Sequence, residues 1–253
     1  RLPTTTSRRS PRYSTSTTGG RRSTRNRSTW NRARPRDRAA RRTPIPLTGM
    51  AVAMAGVFAI VGAMDPALDR IPARMIANRQ LGITGYRILP NNNADWLQAA
   101  SMQTMWRTGA KERIAMCPLI DPKYVAGLGP MCQKFPDTTV VIDHCARIDT
   151  RYETELNQLC ALAKHKNVHV KISAFYAFGK KQPPYVEQIP KIKRLFEAFG
   201  PRRLMWASDC PYQLGGDNTY AASIALVRDR LDFVSAEDKQ WLLRRTAEKV
   251  FFS

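Results

Sequence analysis

"TTVVIDHCARIDTRYETELNQLCALAKHKNVHVKISA", residues 138–174, reads as one strand–helix–strand unit. "TTVVIDH" is a run of β-branched residues that stops at Asp143 and His144, and "VHVKISA" is a second run that stops near Ser173. Short apolar runs of this kind suit strands covered on both faces. Between them, "RYETELNQLCALAKHK" is an amphipathic helix. A strand, a helix and another strand joined in this way imply parallel pairing through a right-handed crossover.

The same rhythm extends in both directions. Upstream, "VFAIVGA" is a strand, "PALDRIPARMIANRQLG" a helix stopped at Gly82, and "ITGYRILP" a strand halted by Pro90. "NADWLQAASMQTMWRTGA" is a helix with Asn93 or Asp95 near its cap, "RIAMCPLI" a strand, and "DPKYVAGLGPMCQKFP" helical in parts. Downstream, "YVEQIPKIKRLFEAFG" is a helix ended by Gly200 and "RLMWASD" a strand, with "NTYAASIALVRDRL" and "AEDKQWLLRRTAEKVFF" as closing helices. This makes six strands, read as a large piece of a β/α barrel or as an open doubly wound sheet.

Composition bounds the rest. Of 253 residues 43% are apolar, and the net charge is +21. Residues 1–43 hold fourteen arginines against one acid, Asp37, whereas the remainder balances 27 bases against 19 acids. The first segment is expected to be a disordered basic tail, because it cannot bury enough surface to offset chain entropy. It also reads as an organellar transit peptide, as an arm for nucleic-acid phosphates, or as sequence that is not natural coding. Residues 44–253 are expected to form the folded domain. Its first part, 44–64, carries no charge, but three glycines and two prolines favour a buried strand over a membrane span. Neither nucleic acid nor a membrane is the expected partner. Five cysteines without a CxxC pair suggest free thiols in a reducing, cytoplasmic setting. The oligomeric state is left open.

In both architectures the functional groups belong at the C-terminal strand ends. There stand Asp65, Arg87, Cys117, Asp143, His144, Ser173 and Asp209. His165 and His169 flank the start of a strand, at the opposite end. Lys171 reads as one half of an ion pair inside the sheet. Cys117, Cys145 and Cys210 read as small packing residues.

The blocks "GITGYRILP", "TTVVIDHCARID", "VHVKISAFYAFG", "FGPRRLMWASDCPY" and "RRTAEKVFF" resemble, in order, the amidohydrolase-related metal-dependent hydrolases of TIM-barrel fold. The branch with dicarboxylate and sugar-acid lactonases is the most similar. The resemblance implies an incomplete (β/α)8 barrel with about six of eight strand–helix units, and a hydrolase that opens a lactone or cleaves an amide of a small carboxylated substrate. It implies Asp209 as general base or metal ligand, and His144 as metal ligand or as the group that polarises the carbonyl. Arg87 would bind a substrate carboxylate; Ser173, by its place at a strand end, is a further candidate for binding substrate. A divalent metal such as zinc would rest on His144 and Asp209, an incomplete set, because the family's first-strand HxH pair has no counterpart here. Thr246 stands where the family usually shows Asn. The alternatives are a catalytically impaired, truncated homologue and a nucleic-acid-associated protein acting through the basic arm.

Overall fold

The computed structural model describes residues 59–90, 92–149 and 151–252. The expected tail over 1–43, the boundary at 44 and most of the uncharged stretch 44–64 lie outside the described residues. Among the described residues six parallel strands form one sheet: β1 (Ile60–Ala63), β2 (Ile83–Ile88), β3 (Ala115–Pro118), β4 (Val140–Ile142), β5 (Val168–Ser173) and β6 (Leu204–Ala207). They are hydrogen-bonded in the order β1-β2-β3-β4-β5-β6. An unbroken sequential order is that of a barrel wall; a doubly wound sheet would reverse direction at a switch point. Among the described residues the fold is therefore an incomplete (β/α)8 barrel. The described part of 44–64 contains β1, and no helix among the described residues is long and apolar enough to cross a membrane.

The helices are α1 (Ile71–Gln80), α2 (Ala100–Glu112), α3 (Leu128–Lys134), α4 (Glu153–Ala161), α5 (Ile189–Phe199), α6 (Tyr220–Asp229), α7 (Ala236–Gln240) and α8 (Thr246–Phe251). Local chemistry sets several ends. Gly200, at φ 67°, stops α5, and the Thr219 and Ser235 side chains accept from Ala222 N and Asp238 N to start α6 and α7. The helix expected from Asn93 or Asp95 comes as two pieces, a short 3-10 turn at Trp96–Gln98 and then α2. Asn93 Oδ1 accepts from Asp95 N at 2.9 Å, so this side chain closes its own turn and caps no helix.

Strand alternation sorts the core into two layers. Val140, Ile142, Val168, Val170, Ile172 and Leu204 join the large cluster under the helices. Ala115, Cys117, Val141 and Met205 form a smaller cluster on the other, inner face with Phe251 of α8. Register partners obey the same rule: Arg87 lies beside Cys117, Lys171 beside Met205 and Ser173 beside Ala207. The period of two thus delivers Arg87, Lys171 and Ser173 to the inner face, opposite the greasy helix layer.

Candidate active site

Parallel strands bring their C-terminal ends to one rim, and the inner face there is polar. Asp143, just past β4, is fully buried. Arg87 Nε donates to its Oδ2 at 3.1 Å, and Lys171 Nζ lies 2.8 Å from Oδ1. That second contact is an ion pair without hydrogen-bond alignment. Two cations share one buried carboxylate, which is how such a charge is tolerated away from water. Lys171 therefore has the interior ion pair its position suggested. Arg87 does not pair with Asp65, whose Oδ1 accepts from Ala67 N at 2.8 Å within its own turn. The Arg87 side chain remains 37% exposed, so part of the guanidinium faces the rim.

A second chain of contacts runs alongside. His144 Nδ1 lies 2.8 Å from Ser173 Oγ, His144 Nε2 lies 3.5 Å from Asp209 Oδ1, and Tyr176 OH donates to Asp209 Oδ2 at 2.8 Å. A carboxylate facing Nε2 favours the tautomer with the proton on Nε2; a lone pair there would repel it. The Ser173 hydroxyl then donates to Nδ1. Burial pushes the His144 pKa below its ordinary 6.5, outweighing the Asp143 and Asp209 carboxylates that pull it up. The imidazole is thus neutral at pH 7. Burial and the hydrogen bond to Asp209 push Tyr176 up to about 12, so its hydroxyl keeps its proton and stays a donor.

The backbone that presents these groups is strained. His144, Cys145, Ala146 and Arg147 have φ of 52°, 50°, 54° and 55°, and Asp209 has φ 60°. Such left-handed conformations cost non-glycine residues roughly 1–2 kcal/mol each and concentrate where function holds them. Here the turn after β4 breaks strand alternation. Asp143 and His144, adjacent in sequence, both reach the polar network on the inner side.

The structure brings all four sequence-predicted site residues, Arg87, His144, Ser173 and Asp209, to this rim. Ser173 is buried and engaged with His144. Sequence reasoning missed Tyr176; a tyrosine inside the otherwise apolar "AFYAF" just past β5 was its one signal. His169 lies early in β5, at the opposite end, as expected. Thr246 is fully buried and its hydroxyl donates to Pro201 O at 3.2 Å. All five cysteines are free. Burial pushes Cys117 up to about 12, which removes it as a nucleophile, while Cys210 is exposed and does not pack as expected.

The donor set does not fit a complete catalytic metal centre. Among the described residues no group of three or more His, Cys, Asp or Glu converges on a point that could hold an ion. His144 and Asp209 offer two donors, and both oxygens of Asp143 face cations. A catalytic zinc site normally takes three protein ligands. The sequence before residue 59 contains no His or Cys and a single acid, Asp37.

The chain is similar to several known proteins. An L-fucono-1,5-lactonase of Burkholderia ambifaria is 27% identical over 161 residues, 61% of this chain and 56% of the relative. The chain thus spans little more than half the length of that curated relative. Among solved structures, an amidohydrolase from Burkholderia multivorans with bound zinc superposes with TM-score 0.65 at 19% identity, covering 80% of this chain and 76% of that one. The "probable 2-pyrone-4,6-dicarboxylic acid hydrolase" of Acinetobacter baumannii, with citric acid bound, gives TM-score 0.67 at 19% identity, covering 82% and 79%. At these identities the two structures speak for the barrel fold. The amidohydrolase family model matches residues 6–252, and the chain belongs to the amidohydrolase family.

Proposed function

We propose that the protein is a hydrolase that opens the lactone ring of a small carboxylated molecule with a base-activated water. The observation that carries the reading is the His144–Asp209 pair, 3.5 Å apart and held from both sides by Ser173 and Tyr176. Tyr176 occupies Asp209 Oδ2, which leaves Oδ1 as the oxygen that can take a proton from water. The water oxygen bonds to the lactone carbonyl carbon while its proton passes to Asp209. His144 Nε2–H donates to the carbonyl oxygen as negative charge builds there. The ring C–O bond then breaks and Asp209 returns the proton to the departing oxygen. Ser173 acts on the imidazole, fixing its tautomer, and not on the substrate. Arg87 uses Nε for Asp143, and its terminal nitrogens suit a substrate carboxylate. No step runs through a metal.

The L-fucono-1,5-lactonase and 2-pyrone-4,6-dicarboxylic acid hydrolase relatives support lactones as the substrate class. The test is a pH-stat assay of the full chain against L-fucono-1,5-lactone, 2-pyrone-4,6-dicarboxylate and an uncharged alkyl lactone. Turnover of one of the first two above the alkyl lactone is expected, with Asp209→Asn losing about 100-fold or more. An unchanged rate in that variant, or no turnover of any lactone, overturns the proposal.

A further inference from the structure

The opposite end of the sheet holds a second concavity. A cavity of about 580 Å³ opens among the segments that lead into β3, β4, β5 and β6, with α8 along one side. Among the described residues, Arg113, Lys166, Arg202, Arg203 and Lys249 line it, against a single carboxylate, Asp137. Its volume is within the range of small-ligand pockets. The catalytic rim lies at the other end of the same strands, so this cavity is separate from the site described above.

Four of these cations, Arg113, Lys166, Arg202 and Arg203, have no carboxylate ion-pair partner among the described residues. Arg203 donates to the carbonyls of Phe199, Ala163 and His165, all neutral acceptors. The Arg202 guanidinium stacks over the Trp241 ring at 4.9 Å, again on a neutral partner. By contrast Arg147, Arg194, Arg228 and Arg244, elsewhere on the surface, each lie within 3 Å of one. Cations converging on a concave wall focus a field that draws in anions, and guanidinium groups match phosphate oxygens in geometry. Arg203 and Arg202 are held in place by their carbonyl and ring contacts, so part of the cost of ordering a binding site is already met.

We propose that this cavity binds a small phosphate-bearing molecule. Its concave shape favours a compact polyanion over an extended nucleic-acid backbone, which would need a groove or stripe.

Pyrophosphate is the probe. Isothermal titration of the full chain is compared with the same titration of Arg113→Ala/Lys166→Ala and of Lys180→Ala/Lys181→Ala. The altered side chains in both doubles are exposed, so both variants are expected to fold. The wild type should show a saturable site that the first double weakens at least about tenfold and the second leaves unchanged. That site should also weaken steeply with added salt. Identical isotherms for wild type and Arg113→Ala/Lys166→Ala would assign any anion binding to other basic segments of the chain and overturn the proposal. A wild-type signal that sodium chloride reproduces at equal ionic strength would overturn it too.

Discussion

Loss of the Asp143 carboxylate should be costly, and the cost can be worked out. It is fully buried, with Lys171 Nζ at 2.8 Å and Arg87 Nε at 3.1 Å. At an effective dielectric of about 20, a unit charge pair at that range is worth roughly 6 kcal/mol before desolvation is counted. Asp143→Asn removes the attraction and leaves Lys171, whose side chain is 13% exposed, with an uncompensated charge. Breaking a buried pair from one side costs about 3–5 kcal/mol, and that is the expected loss. The cost should fall mostly on Lys171, because Arg87 is 37% exposed and can turn toward water. The double variant Asp143→Asn/Lys171→Met removes both buried charges at nearly constant volume and should recover most of the stability. Urea unfolding of wild type, both single variants and the double gives the coupling directly. A loss below about 1 kcal/mol for Asp143→Asn, or a double variant as unstable as the sum of the singles, would refute the argument.

Burial holds His169 down at about 4 against an ordinary 6.5. Its neutral form is favoured in the native state, so this contribution is intact above pH 6.5 and is lost as pH falls toward 4. The loss at pH 5 is about 2 kcal/mol, and His169→Gln should flatten that part of the stability–pH curve; parallel curves would contradict it. Tyr176→Phe removes the donor to Asp209 Oδ2 and is expected to lower kcat about tenfold with KM little changed; an equal change in KM alone would assign Tyr176 to substrate binding. Arg87→Lys keeps the charge but loses the planar fork, so KM for a carboxylate-bearing lactone should rise more than for the uncharged alkyl lactone. In α2, a Cβ on Gly109 would come within 2.7 Å of Ile114 O and 2.9 Å of Met116 Cε. Gly109→Ala gains about 1 kcal/mol in helix propensity but meets a backbone clash costing typically 1–3 kcal/mol, so thermal unfolding should show a lower Tm.

Much of the fold is written in local pattern. Runs such as "TTVVID" and "VHVKIS" report a buried parallel strand by composition alone. Gly82 and Gly200 end helices because glycine adopts positive φ freely, and Pro90 halts a strand because it has no N–H to donate. Once strand direction is known, the end of each strand follows, and with it the placement of Arg87, His144, Ser173 and Asp209 on one rim. The family blocks supplied roles for those residues but not the contacts between them.

The contacts had to come from three dimensions. Arg87 meets Asp143, 56 positions away, and not the nearer Asp65, because sheet register sets Arg87 beside β3 on the inner face and the carboxyl of Asp143 lies across that face. Tyr176 reaches Asp209, 33 positions on, from a turn that no periodicity marks. The left-handed run at 144–147 overrides the alternation that would have sent Asp143 and His144 to opposite faces. Sequence pattern reflects the preferences of a residue and its near neighbours, and these decided the strands, the helices and the candidate rim. Which side chains touch depends on strand order, register and strained turns, which the packing of the whole sheet imposes; only the tertiary structure decided the His144–Asp209 network, the Asp143 ion pairs and the basic cavity beneath them.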